Sequence, residues 1–309
     1  MNYRHRKGLL IFLIIMIANV SIFSCGCVFL EKEKAVKVSL DATGNLKSSN
    51  ETTRYLFMGV FSVASPKATM DYYEGLRSYL SEATGRKVEL VQRDNHREIN
   101  YLLESGYLDV AFVREDAYYD GAQKFAMHIM AIPIIQGNTY YRSYVIVHSE
   151  ANIGSIDDLR GKKFIFKDFR LTKEQVEPDH MEVILTEMNE TPSTFFSSYS
   201  YSESQDRLID MVSKRTVDGA EVDSFFWEYM KKNYPQKIAD LTIINISPAK
   251  KAPVLAYGPQ MSADEMQLIK SSIVAMHRDK EGKQILESMG IDMFVPMDNA
   301  TYEALEYGQ

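Results

Sequence analysis

The chain has 309 residues, 45% of them hydrophobic and 25% charged, with a formal net charge of −7. That length can bury a core in two lobes, and the acidic balance argues against nucleic acid as a partner. Cys25 and Cys27 are the only cysteines, so the remainder of the chain can hold neither a disulfide nor a cysteine nucleophile.

Arg4, Arg6 and Lys7 precede an apolar run from Gly8 to Ser24, the charged and hydrophobic regions of a secretory leader. Asn19 interrupts the run, which falls short of the roughly 18 to 20 apolar residues that span a bilayer core, so export with cleavage is expected over a retained helix. Without those three cations the chain carries −10. Ile22-Phe23-Ser24-Cys25 resembles the bacterial lipobox, with an aliphatic residue three places before an acylated cysteine and a small residue just before it. Residues 1–24 are thus expected as signal peptide, with Cys25 as the lipidated residue. Cys27 is a second candidate, and an unmodified pair of loop cysteines is the plain alternative. From Glu31 to Arg54 the composition turns to Lys, Glu, Ser, Asn and Thr, so 25–53 is expected as a lipidated cysteine and flexible tether.

Beyond Tyr55, short Val-, Ile- and Phe-rich runs alternate with amphipathic stretches, the pattern of βαβ units. Leu56 to Phe61 reads as the first strand. Tyr72, Leu76, Tyr79, Leu80 and Ala83 share a helical face that stops at Gly85, and Val88 to Val91 is the next strand. Asn95 and Glu98 open a helix running to Glu104, and Leu108 to Val113 returns to the sheet before Arg114-Glu115-Asp116 starts another helix. Ala126 to Ile135 and Tyr140 to His148 are long strand-like runs suited to crossing between lobes. A second α/β unit follows: a capping pattern at Ser155 to Asp158, strand Lys163 to Phe166, a helix from about Lys173 to Met188, a helix from Asp206 to Lys214, and strands Asp218 to Val222 and Leu241 to Ile246. Pro253 to Tyr257, a helix capped by Ser262 with Glu265, and a helix through Ile285, Leu286 and Met289 to Gly290 complete the pattern.

Several stretches together resemble the phosphate/phosphite/phosphonate-binding family of ABC-transporter substrate-binding proteins. They are Thr84 to Leu90, Gly106 to Phe112, Tyr141 to Val147, Ile156 to Phe164, Val217-Asp218-Gly219-Ala220, Ser247-Pro248, and Phe294-Val295-Pro296 with Asp298 and Tyr302. The resemblance implies a two-lobed periplasmic-binding-protein (Venus-flytrap) α/β fold, each lobe a mainly parallel sheet flanked by helices, joined by two crossovers. Lobe 1 is then expected over 54–141 plus 248–309 and lobe 2 over 142–247. After Lys167-Asp168 the family carries a Ser-Thr-Ser-Gly-type turn that holds phosphonate oxygens; here stands Phe169-Arg170-Leu171-Thr172-Lys173, with one hydroxyl and two cations. The family's Ser-His-Asp pattern appears as Ser204-Gln205-Asp206. The ligand implied is a small anion, phosphonate-like, phosphate-like or another oxyanion.

Ligands of open α/β sheets sit beyond the carboxyl ends of strands, which selects the candidate residues. Arg114 can pair with an oxyanion through two parallel hydrogen bonds, or simply with Glu115. Arg170 and Thr172 lie in the altered anion turn, or in an ordinary polar loop. Ser62 and Ser65 lie in the first strand-to-helix loop, and Ser204 in the Ser-Gln-Asp pattern. Tyr72 and Tyr118 start helices where they can close over a ligand, as can Tyr73 and Tyr119, although core packing also explains such tyrosines. Glu221 and Asp223 can accept from a ligand amino or hydroxyl group, or cap a helix. The histidines, among them His96, His128, His148, His180 and His277, are scattered without metal-ligand spacing, and no nucleophile elbow, phosphate-binding loop or dinucleotide fingerprint occurs.

The expectation is therefore an extracytoplasmic solute-binding lipoprotein, not an enzyme, with no cofactor or metal. It would be a monomer, held by its lipid to a bacterial membrane and facing the periplasm or cell exterior, with a small anionic solute and an ABC permease as partners. A lipoprotein that presents its closed clamp to a receptor kinase or surface partner is the alternative, motivated by the altered anion turn.

Overall fold

The structure, a computed structural model, describes residues 55–61, 64–93, 96–167, 178–202 and 204–305. The chain begins with strand β1 (Tyr55–Phe61), helix α1 (Pro66–Thr84), β2 (Lys87–Arg93), α2 (His96–Glu104), β3 (Val110–Val113), α3 (Glu115–Phe125) and β4 (His128–Ile134). Strands β1, β2 and β3 are parallel, with Leu56 opposite Val88 and Met58 opposite Val110. Alternation places Leu56, Met58 and Val60 on one face, fully buried in one cluster with Tyr73, Leu76 and Leu80 of α1. Helix α1 starts on a proline, whose missing N–H is no loss in a first turn, and ends at Gly85 with φ of 65°.

The run expected as one strand from Tyr140 to His148 is broken at Arg142 into β5 (Tyr140–Tyr141) and β6 (Ser143–His148). Then come β7 (Lys163–Lys167), α4 (His180–Glu187), α5 (Pro192–Phe195), β8 (Ser198–Ser202), α6 (Gln205–Ser213), β9 (Gly219–Asp223), α7 (Ser224–Asn233), α8 (Pro235–Ile238) and β10 (Leu241–Ile246). They form a five-stranded sheet in the order β10-β6-β9-β7-β8. Of the helix expected from about Lys173 to Met188, residues 173–177 lie outside the described residues; α4 begins at His180, after Pro178 and Asp179, which are not helical, as suits a proline with no N–H to donate and a ring that clashes with a preceding turn. The Ser155 to Asp158 pattern makes a short turn in which the Asp158 carboxylate accepts from Gly154 N, Ser155 N and Ser155 Oγ.

The chain returns through β11 (Lys250–Lys251) and β12 (Val254–Tyr257), followed by α9 (Ala263–Ala275), α10 (Lys280–Met289), β13 (Met293–Pro296) and α11 (Asn299–Glu303). Strands β12 and β13 join the first sheet, whose order is β13-β4-β12-β3-β1-β2. Both sheets are mixed. Three parallel strands in each, β1 with β2 and β3, and β7 with β8 and β9, continue into antiparallel neighbours. Antiparallel pairing follows because β12 arrives from the other sheet rather than through a βαβ crossover.

The two crossings between the sheets touch each other. Tyr141 pairs with Lys250 and Tyr140 with Lys251 in a two-stranded antiparallel ribbon. Beside it the Ser247 hydroxyl accepts from Ser143 N at 2.8 Å and donates to Pro248 O at 2.7 Å, while Arg142 Nη1 donates to Ser247 O at 2.7 Å. A contiguous apolar cluster also bridges the sheets, since Phe225, Phe226, Tyr229 and Met230 of α7 join the core containing α1. Tyr72 meets Tyr229 edge to face at 5.0 Å.

Gly258, buried just after β12, lies against the end of α2. A β-carbon there would sit 2.3 Å from the Leu103 carbonyl oxygen, a backbone atom that cannot swing aside. Gly258→Ala is therefore expected to lower the unfolding free energy by about 1–3 kcal/mol, measured by urea denaturation.

Candidate functional site

In both sheets the parallel strands deliver their carboxyl ends to helix N-termini. β3 ends at Val113, with Arg114 as N-cap of α3; β8 ends at Ser202, with Ser204 as N-cap of α6; and β9 ends at Asp223, the N-cap of α7. Backbone N–H groups and the positive ends of helix dipoles concentrate there. α6 links the two sheets directly: Asp206 in its first turn accepts from Ser65 N at 2.9 Å and from Ser65 Oγ at 2.6 Å, and Ser65 is the N-cap of α1. The sequence separation of 141 residues shows how far apart in the chain these two loops are.

One turn away, charge is concentrated. Lys167, at the end of β7, forms an ion pair with Asp223 in which both side chains are only 5% exposed. Gln205 completes the arrangement, its Nε2 donating to Asp223 Oδ2 at 2.9 Å and its Oε1 accepting from Asp223 N at 2.7 Å. From the other sheet, Arg114 Nη2 reaches Asp116 Oδ2 at 3.2 Å. Burial works against the Arg114 charge, but Asp116, Tyr141, Asp223 and Asp179 outweigh it and hold the guanidinium above its usual value. Burial likewise opposes the Lys167 charge, and Asp223, Asp179, Tyr141 and Glu221 more than restore it. The Tyr141 hydroxyl lies in the fields of Asp223, Lys167, Arg114 and Asp116 together, and burial pushes its pKa up. Groups carried by the two sheets thus share one electrostatic neighbourhood around Tyr141, on the crossing ribbon.

Of the residues selected from sequence, Arg114 and Asp223 belong to this cluster. Ser65 and Ser204 line a neighbouring polar hollow of about 350 Å³ with Asp206, Arg207, Asp210 and Lys237, a size that accepts a small molecule. Glu221 is fully buried beneath the cluster and caps α4, accepting from His180 N at 3.2 Å and Met181 N at 2.9 Å. Tyr72 donates its hydroxyl to Met289 O at 3.0 Å, and Tyr118 donates to Glu303 Oε1 at 2.8 Å with its ring edge-on to Tyr302. Both are core residues with committed hydroxyls. Tyr73 packs 5.4 Å from Phe112, and Tyr119 accepts from the buried Lys251 Nζ at 3.2 Å. Ser62, Arg170, Thr172 and Cys25 lie outside the described residues.

Sequence reasoning did not single out Lys167, Asp179, Gln205 or Tyr141. Lys167 carried a signal, a cation at the inner end of the apolar run Lys163 to Phe166; Asp179 carried one too, just after a proline at a helix start. No cluster of His, Cys, Asp and Glu suited to a metal occurs among the described residues.

Fold and site together define a solute-binding protein built from two sheets with polar groups converging between them. The chain belongs to the family of periplasmic substrate-binding proteins of ABC phosphonate transporters, whose model matches residues 58–302. That family consists of transporter components rather than enzymes, and its members act outside the cytoplasm with a membrane permease. A binding-protein component of an ABC phosphonate transporter from Pseudomonas aeruginosa is similar over 81% of this chain and 83% of its own, with 19% identity and a TM-score of 0.69. PhnD1 from Prochlorococcus marinus, solved in complex with methylphosphonate, is similar over 81% of this chain and 95% of its own, with 17% identity and a TM-score of 0.66. A Xanthomonas citri protein bound to ATP has 15% identity over 81% of this chain and 93% of its own, with a TM-score of 0.57. The fold is thus the two-lobed periplasmic-binding-protein fold. Among the described residues no helix is long and apolar enough to cross a membrane.

Asp223→Ala removes the ion-pair partner of a buried ammonium and is expected to cost about 3–5 kcal/mol of stability in denaturant titration. Replacing both members with apolar residues, as Lys167→Met with Asp223→Leu, should recover part of that loss, because no buried charge is then left unpaired.

Proposed function

We propose that this chain is an exported lipoprotein, acylated at Cys25 and tethered by residues up to 53, that works as a monomer. It captures a small oxyanion between a lobe of residues 54–141 plus 248–309 and a lobe of residues 142–247. The observation that carries the reading is the convergence of Arg114 and Lys167, supported by different sheets, around Tyr141. Arg114 offers a planar pair of donors to an oxyanion, and the helix N-termini beside it add backbone N–H groups. Ser62, Arg170 and Thr172, which follow β1 and β7 in the sequence, supply further donors in this reading, and Ser65 with Ser204 line the approach. The titrated solutes are phosphate, sulfate, methylphosphonate and aminoalkylphosphonates.

Isothermal titration tests this directly. Arg114→Ala should weaken the best ligand by about tenfold or more, the loss expected for a charge-assisted hydrogen bond, and an unchanged affinity would remove Arg114 from the site. The lipid anchor is tested separately by metabolic labelling with a radioactive fatty acid. Cys25→Ser should abolish the label and release the protein from membranes, whereas persistent labelling would assign acylation to Cys27.

A further inference from the structure

Asp179 stands between β7 and α4, immediately before the residues whose N–H groups Glu221 caps. The residue as a whole is half-buried, yet its Oδ2 is sealed from solvent and has no hydrogen-bond partner among the described residues. A sealed carboxylate oxygen with no donor loses its hydration and gains nothing in return, so such an atom in a native protein calls for a role. Its own helix does not supply one: although Asp179 occupies the N-cap position of α4, its side chain caps nothing. Glu221 from β9 performs the capping instead.

The surroundings decide what form this group takes. Facing it are Lys167 from β7, Glu221 and Asp223 from β9, and Glu182 one turn along α4; Arg114 at the start of α3 also lies within its field. The neighbouring His180 ring is committed to Asn245 Oδ1 at 2.7 Å. Three carboxylates therefore face Asp179, while Lys167 and Arg114 are already engaged by Asp223 and Asp116. Burial first, then Glu221, holds the Asp179 carboxyl well above its usual range, with Lys167 opposing and Glu182 and Asp223 adding to the rise. A neutral carboxyl carries a proton it can donate, and a protonated acid in a sealed site is a strong partner for an oxyanion.

Resting on the oxyanion reading above, we propose that Asp179 is a specificity-determining residue, whose Oδ2–H donates a hydrogen bond to an oxygen of the bound anion. The proton stays on Asp179, and no bond is broken. A site crowded with carboxylates thereby accepts an anion: one of them is neutral and presents a donor. The donor is fully present at low pH and is lost as pH rises through the elevated Asp179 value, so affinity for the anion falls in the same direction.

The test compares wild type with Asp179→Asn, in which a carboxamide N–H₂ replaces the acid O–H at every pH. Affinity for methylphosphonate is measured for both from about pH 5 to 9, the range in which buried carboxyls titrate. The ratio of wild-type to variant affinity cancels the ligand's own ionisation. It should start near one and fall by about tenfold or more with rising pH, the fold-change of one strong hydrogen bond. A ratio that does not change with pH, or one that rises with it, overturns the proposal. Infrared spectroscopy of the protein without anion gives a second readout: the carbonyl stretch of a protonated carboxyl should be present near neutral pH and absent in Asp179→Asn, and its absence from wild type also overturns the proposal. If wild type binds none of the oxyanions, the functional reading and this inference fall together. A bound anion with a flat ratio sinks the inference alone.

Discussion

The buried pair of Lys167 and Asp223 is the constraint around which the site is built. Removing an ammonium and a carboxylate from water costs several kcal/mol for each ion, and attraction repays that only where geometry and supporting hydrogen bonds are good. The cost explains why so many elements meet here. β7 and β9 lie side by side as parallel neighbours and bring the two charges together at their carboxyl ends. The start of α6 delivers Gln205, which engages Asp223 through both side-chain and backbone atoms. Once Gln205 is fixed, the next residue, Asp206, is positioned to hold Ser65 at the start of α1. A single desolvated ion pair thus sets the register of one sheet and, through one helical turn, its contact with the other.

Charge balance around that pair is dense and mostly committed. Glu221 spends both oxygens on the first turn of α4, Asp116 engages Arg114, and Lys251 on the crossing ribbon engages Glu115 at 3.3 Å. Strand β9 contains two acidic residues, yet every position of it is buried. Such a strand is tolerable only because each carboxylate meets a donor from a neighbouring element. The polar cluster and the packing of the interior are therefore not separable here: the charged groups also hold the strands and helix starts in place.

Much of the architecture was legible in the chain itself. The alternating runs located β1, β2, β3, β7, β9 and β12, and Gly85 and Gly290 marked helix ends because both adopt positive φ. Ser262 caps α9 through Glu265 N at 3.3 Å, as its spacing predicts. Other elements left weaker traces. Strand β8 reads Ser-Tyr-Ser-Tyr-Ser and is largely exposed on a sheet edge, so it lacks the apolar alternation of an interior strand. α7 follows β9 with no intervening loop, so no turn residues announce it. The mixed character of the sheets was not legible either, since strand direction depends on which lobe a segment returns to rather than on its residues. For the site, position after a strand pointed to Arg114 and Asp223, whereas Tyr72 and Tyr118, equally well placed in sequence, direct their hydroxyls to Met289 and Glu303. Only side-chain direction separates the two cases. Lys167 and Asp179 acquire their importance from neighbours 56 and about 40 residues away, a relation that no local pattern encodes.

The ribbon formed by β5 and β11 has a mechanical meaning. Two independent connecting strands would let one lobe swing, slide and twist against the other. Because Tyr141 is laddered to Lys250 and the Ser247 hydroxyl ties Ser143 to Pro248, the strands can only deform in concert, as a single strap. Movement of one crossing without the other is thereby stiffened. Tyr141, laddered into this strap and lying in the fields of groups from both sheets, is held at the point where the two crossings are tied together.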